Sequence, residues 1–129
     1  MAVVGIGTDL TSITRVRRLL EHYGPRFRER VFSAAECTQC DLREDPAAHY
    51  AARFAAKEAA FKAMGLGRSG NVLWSDATVA SLGGGLPTLH FHGALAHRAA
   101  EAQVTHAHLS LSHEGDMALA FVLLENTNG

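Results

Sequence analysis

The stretch from Asp45 to Gly65, "DPAAHYAARFAAKEAAFKAMG", constrains the fold of this chain more than any other. Asp45 is placed to cap a helix, Pro46 suits its first position and Gly65 suits its end, so one helix is expected from Pro46 to about Met64. At about 100° per residue, Ala52, Ala55, Ala56, Ala59, Ala60 and Ala63 fall on one side of it. A face with no side chain beyond Cβ lets a helix approach a sheet or a second helix closely. The remaining arc carries Phe54, Lys57, Glu58, Phe61 and Lys62, so charge and aromatic surface share a stripe. Two readings are open. In one, Glu58 and Lys62 form an exposed i,i+4 pair worth about 0.2–0.5 kcal/mol, and the lysine stems lie over the phenylalanines. In the other, Glu58 meets a second carboxylate in a site for a charged ligand.

The rest of the chain supplies what this helix packs against. Ala2 to Gly7 is expected as a buried strand, being short, apolar and β-branched. Thr11 or Ser12 caps a helix that carries Ile13, Val16, Leu19, Leu20 and Tyr23 at helical spacing and stops at "YGP". Ser33, with Glu36 three residues on, forms a capping box for a further helix. "SDATVASL" and "LPTLHFH" read as strands on either side of "GGG", and "GALAHRAAEAQ" as a short helix. "HAHLSLSH" and "DMALAFVLLE" read as a hairpin around "EGD". A strand, then helices, then strands with one helix among them gives an α+β fold: an antiparallel sheet packed against the long alanine-rich helix. Its 129 residues are expected to form a single domain.

Asp9 follows the strand "VVGIGTD" beside two glycines. Carboxylates from two separate elements, with lysines near them, are what a Mg²⁺–phosphate site requires. The ion takes hard oxygen ligands, commonly one or two carboxylates, waters and phosphate oxygens, and lysine neutralises the remaining phosphate charge. Spacing alone leaves Asp9 open between this role and that of a turn or capping aspartate.

The net charge of −1 gives no general case for nucleic acid. The charge is unevenly spread. Six arginines between Arg15 and Arg30, opposed only by Glu21 and Glu29, make that window +4. A basic patch on a nearly neutral chain points to an acidic partner or a phosphate-bearing ligand. The longest apolar run, "MALAFVLL", is far short of the roughly 20 residues of a membrane span, and no secretory signal is expected. Two cysteines do not make a disulfide framework, and a cytoplasmic protein is expected.

Taken together, these motifs resemble the holo-acyl-carrier-protein synthase family of 4′-phosphopantetheinyl transferases. "GIGTDLTSITRV", Gly5 to Val16, is similar to the family's N-terminal Gly-Ile-Gly-x-Asp-x-x-x-x-x-Arg motif. "RFAAKEAAFKAMG" is similar to its central Phe-x-x-Lys-Glu-Ala-x-x-Lys-Ala motif, and "LSLSH", Leu109 to His113, to its C-terminal segment. The resemblance implies transfer of the phosphopantetheine arm of coenzyme A to a serine of an apo acyl carrier protein, with release of adenosine 3′,5′-bisphosphate. It implies that Asp9 and Glu58 hold a Mg²⁺ ion and that Lys62 contacts the pyrophosphate. It further implies that Arg53 and Lys57 bind coenzyme phosphates and that His113 sits near the nucleotide. Glu58 is the first candidate to take the serine proton. Arg15, with Arg18 and His22 on the same helix, would dock the acidic helix of the carrier. A homotrimer with active sites between subunits is implied as well. The alternative is a non-catalytic carrier-binding or coenzyme-binding subunit of the same fold. Neither fatty-acid nor polyketide carriers are singled out.

Other motifs are set aside. "CTQC" is a lone CxxC with no second pair to complete a zinc site and no βαβ setting for redox chemistry. His90 with His92, or His106 with His108, alternates as on a strand and suits ordinary half-buried positions better than a transition-metal site. "GLGRSG" lacks the lysine and hydroxyl residue of a P-loop.

Overall fold

The computed structural model describes residues 1–67, 71–81 and 85–128. The elements run β1 Ala2–Ser12, α1 Ile13–Tyr23, α2 Pro25–Val31, α3 Ala34–Asp41 and α4 Pro46–Ala63. After a 3-10 turn at Trp74–Asp76 follow β2 Ala77–Ala80, β3 Thr88–Phe91, α5 Gly93–Glu101, β4 His106–Glu114 and β5 Met117–Asn126. The main sheet is antiparallel in the order β1-β5-β4, and β2 and β3 form a separate antiparallel pair. The fold is α+β, as expected.

Helix α4 is the centre of the molecule. One core cluster places Ala55, Ala56, Ala59, Ala60 and Ala63 against Ala120, Val122 and Leu124 of β5, Val79 of β2 and Leu95 of α5. A second cluster joins Tyr50, Ala51 and Phe54 to Ile13 and Val16 of α1, Val31, Phe32 and Cys40. Because both flanks are covered, the arc that mixes charge and aromatic surface is also largely buried, Lys62 excepted. Phe54 stacks on Trp74 with ring centroids 4.8 Å apart, and Phe61 packs on the same indole at 5.7 Å. Fully burying a side chain such as Leu95 or Leu124 stabilises the fold by about 1.5–3 kcal/mol.

Strand β1 departs from the expected Ala2–Gly7. It continues to Ser12 because β5 pairs with it along its whole length, from Ala2 opposite Asn126 to Ser12 opposite Met117. It is also not buried on both faces. Gly7 and Thr11 face α4, whereas Ile6 and Leu10 are 56% and 61% exposed on the other side. Asp9 therefore lies within the strand, opposite Ala120, and not after it.

Helix α1 stops at "YGP", as expected, but an unexpected further helix, α2, begins directly there. Gly24, at φ 52°, turns the chain and Pro25 then opens a new helix at its first position. Ser12 caps α1 through Arg15 N, and Ser33 with Glu36 forms the full capping box of α3. Asp45 sits at the N-cap of α4 but makes no cap bond, since its carboxylate is drawn to the Arg17 guanidinium at 2.8 and 3.3 Å. Most of the "GGG" turn, and Arg68 to Gly70 of "GLGRSGN", lie outside the described residues.

The β4–β5 turn is fixed to the start of α1. Asp116 accepts hydrogen bonds from Ser12 Oγ at 2.8 Å, Thr14 N at 2.9 Å and Thr14 Oγ1 at 2.6 Å. These donors hold its carboxyl below the usual aspartate range. The N-terminal and C-terminal motifs thus meet at one end of the sheet.

Candidate active site

The close approach of β1 and α4 begins with two glycines. A Cβ on Gly5 would collide with the Ala63 carbonyl, and one on Gly7 with the Ala59 carbonyl and Ala63 N. Hydrogen at these positions, facing the alanine stripe, lets the strand lie against the helix backbone. Two residues beyond Gly7, on the same face, Asp9 then meets the last turn of α4. Lys62 Nζ lies 3.0 Å from Asp9 Oδ1 and donates to the Thr8 carbonyl at 3.1 Å. Thr11 Oγ1 donates to Asp9 Oδ2 at 2.9 Å. The Asp9 side chain is 15% exposed and that of Lys62 is 54% exposed, so the pair sits at the rim of the core and open to solvent. Glu58 is half-buried one helical turn before Lys62. Lys62 is therefore more than the exposed partner of Glu58 in a surface pair: its ammonium crosses to a different element.

Lys57 corrects an expectation. It was assigned to coenzyme phosphates, yet its side chain is 0% exposed. Its ammonium donates to Glu36 Oε1 at 2.8 Å, to the Trp74 carbonyl at 3.3 Å and to the Ala77 carbonyl. A lysine has three N–H donors, and all three are used inside the protein, so none is left for a ligand. Glu36, 1% exposed, also accepts from Ser33 N and Val79 N. Burial pulls the Lys57 pKa below the ordinary lysine value, and the Glu36 carboxylate opposes that pull.

Arg53 and His113 do come together. They line one cleft of about 240 Å³ with Arg43, His49 and Ser112. Arg53 is 5% exposed. Its Nη2 donates to Gln39 Oε1 at 3.1 Å, while its Nε is buried with no hydrogen-bond partner among the described residues. Burial, with the charges of Arg43 and Arg53, holds the His49 imidazole below its usual pKa. Arg43 and His49 escaped the sequence reading. His49 stands four residues before Arg53 on α4, a spacing that would have placed it on the same stripe. Arg43, in the connection from α3, carried no signal.

The basic window is partly neutralised. Arg17 pairs with Asp45, and Arg28 lies 3.5 Å from Asp41, both acids from outside the window. Arg15 and Arg18 stay exposed. The Arg15 guanidinium lies 5.9 Å above the Phe54 ring, and Arg18 and His22 border a shallow hollow with Glu21. Beside it, Leu19, Tyr23 and Phe27 form an apolar groove of about 330 Å³ rimmed by Arg26 and Arg30.

Cys37 and Cys40 are free, and burial pushes the Cys40 thiol up to about 12. His106 and His108 stack with ring centroids 6.2 Å apart, and His108 Nε2 lies 3.0 Å from Glu125 Oε1. Among the described residues, no group of three or more histidines, cysteines or acids is arranged to hold a metal ion. A cation at Asp9 would accordingly rest on one or two carboxylates, completed by water and ligand oxygens.

With this arrangement in place, comparison with known proteins is decisive. The model of the 4′-phosphopantetheinyl transferase superfamily matches residues 5–122, which takes in most of β1 and all of α4. The chain belongs to that superfamily. This phosphopantetheinyl transferase is 46% identical, over 95% of its length and 93% of the relative's, to a holo-[acyl-carrier-protein] synthase of Methylobacterium radiotolerans. Its fold superposes on the crystal structure of the holo-[acyl-carrier-protein] synthase of Neisseria meningitidis with a TM-score of 0.87, at 34% identity and over 97% and 100% of the two chains. The synthase of Bacillus anthracis, solved in complex with coenzyme A (3′,5′-ADP), gives a TM-score of 0.78 at 31% identity over 97% and 98%. The chain is therefore an enzyme of the transferase class.

Proposed function

We propose that this phosphopantetheinyl transferase moves the 4′-phosphopantetheine of coenzyme A onto a serine of an apo acyl carrier protein and releases adenosine 3′,5′-bisphosphate. The observation that carries this reading is the 3.0 Å contact between Asp9 of the first motif and Lys62 of the second. It joins two separate motifs into one charged site at the edge of the helix–sheet interface.

In the reaction the serine oxygen forms a bond to the phosphorus that bears pantetheine, and the bond from that phosphorus to the bridging oxygen breaks. Positioning and charge stabilisation dominate such a step. Asp9 and Glu58 offer the hard oxygen donors that suit Mg²⁺, and the residues fit the ion without a third protein ligand. Bound there, the cation would stabilise negative charge developing on the diphosphate. Lys62 reaches the same place and meets the oxygen that leaves. Glu58 takes the serine proton. Arg53 and His113, with Arg43 and His49 in the same cleft, bind the nucleotide end of coenzyme A.

The exposed Arg15, Arg18 and His22 dock the acidic helix of the carrier. The neighbouring groove of Leu19, Tyr23 and Phe27 extends that surface, and such an electrostatic contact chiefly speeds encounter and weakens with salt. Ile6, Leu10, Leu119 and Phe121 share the sheet face away from α4 and are 38–61% exposed, which supports a homotrimer that covers them. Two free cysteines fit action in the reducing cytoplasm. Among the described residues, no helix is long and apolar enough to cross a membrane.

Incubation with coenzyme A, Mg²⁺ and apo carrier, followed by intact-mass measurement of the carrier, tests the reading. The carrier gains the phosphopantetheine mass, and Glu58→Gln slows the gain roughly 10²–10⁴-fold. No mass gain with several acceptors, or a wild-type rate in Glu58→Gln, contradicts it.

A further inference from the structure

Between the cysteines of "CTQC" stand Thr38 and Gln39, and the second of these reaches the cleft through Arg53. We propose that Gln39 is a positioning residue for coenzyme binding: its side-chain amide, strung between Ser81 and Arg53, fixes the Arg53 guanidinium in the cleft. This rests on reading that cleft as the place where coenzyme A binds.

Gln39 Oε1 accepts from Arg53 Nη2 at 3.1 Å, and Gln39 Nε2 donates to the Ser81 carbonyl over a long 3.5 Å. The chemistry of the partners dictates this orientation. An arginine can only donate and a carbonyl can only accept, so the amide oxygen must face Arg53 and the amide nitrogen must face Ser81. Both ends of the bridge border the cleft, since Arg53 and Ser81 line it together with Arg43, His49 and His113. Gln39 belongs to α3, Arg53 to α4, and Ser81 follows β2. One side chain thus links three segments behind the site.

Arg53 needs such a holder. Arg53 is 5% exposed in a cleft it shares with Arg43 and His49, and its Nε has no partner among the described residues. A buried cation with donors to spare is favourable where a ligand anion completes its shell, and costly where it is loose. Holding one Nη2 hydrogen on an amide keeps the plane of the fork fixed while leaving its charge intact. Glutamate at this position would pair with Arg53 but cancel its charge and lose the donor to Ser81. Leucine or alanine would leave the fork free to rotate.

The test varies coenzyme A and the apo carrier separately in steady-state transfer. Gln39→Ala raises KM for coenzyme A roughly three- to tenfold, as expected for the loss of one hydrogen bond to a charged group, and leaves kcat and KM for the carrier near wild type. In an Arg53→Ala background, Gln39→Ala adds no further loss, because the group it positions is gone. Gln39→Met, which keeps the volume, repeats the measurement should the alanine variant fold poorly by circular dichroism. An unchanged KM for coenzyme A in both Gln39 variants, or full additivity with Arg53→Ala, overturns the proposal while the transferase reading stands. A wild-type KM in Arg53→Ala itself removes the assignment of the cleft, and the proposal with it. Absence of transfer by the wild-type protein would instead refute the function.

Discussion

Lys57 and Lys62 stand five residues apart on α4, yet the first is wholly buried against Glu36 and the second keeps half its side chain in solvent beside Asp9. The difference decides which of them can meet a phosphate. Removing Lys57 alone would leave the Glu36 carboxylate buried without its cation, so Lys57→Met is expected to lower stability by about 3–5 kcal/mol in a urea titration. Lys62→Met is expected to leave the urea midpoint nearly unchanged, because a solvent-exposed pair is worth roughly 0–1 kcal/mol. Equal midpoints for the two variants would contradict the assignment of Lys57 to the core. This distinction was not legible in the sequence. Periodicity places Lys57 and Lys62 on the same broad arc, and only the covering of that arc by α3, Trp74 and β2 separates them. Asp9 was legible as a candidate, but its partner was not, since no spacing relates residue 9 to residue 62.

At the scale of elements, the helix that constrains the chain was read correctly from its own signals: Pro46 at the first position, the alanine stripe, and Gly65 in the left-handed region at φ 72° just past the end. The capping box of α3 was equally plain, because Ser33 and Glu36 lie within one turn. The extension of β1 to Ser12 was not, because it depends on register with β5, more than a hundred residues away. Helix α2 was hidden because glycine and proline side by side read as a stop, whereas here they end one helix and start the next. The β1–α4 contact carries a test of its own. Gly7→Ala would drive a methyl group into the helix backbone at Ala59 and Ala63. It is expected to cost about 1–3 kcal/mol by forcing strand and helix apart, and to depress transfer as Asp9 moves from Lys62. A variant with wild-type melting temperature and wild-type transfer would show that the contact is not needed.

For the molecule as a whole, three surfaces divide the work. The cleft with Arg53 and His113, proposed to take coenzyme A, is built by α4 and the end of β4. The arginine-bearing α1 and α2 present exposed cations, although pairing with Asp41 and Asp45 leaves the window less charged than its composition implies. The outer face of the sheet is apolar and open, and it would be covered by association with further copies. The proposed reaction would unite them through Asp9 of β1 and Glu58 of α4, converging on a single divalent cation beside the diphosphate. Anomalous diffraction from crystals grown with coenzyme A and Mn²⁺ in place of Mg²⁺ tests that convergence most directly. The account predicts a peak about 2 Å from carboxylate oxygens of both Asp9 and Glu58 and in contact with the diphosphate. A cation bound to the diphosphate with neither carboxylate near it, in every subunit, would contradict it.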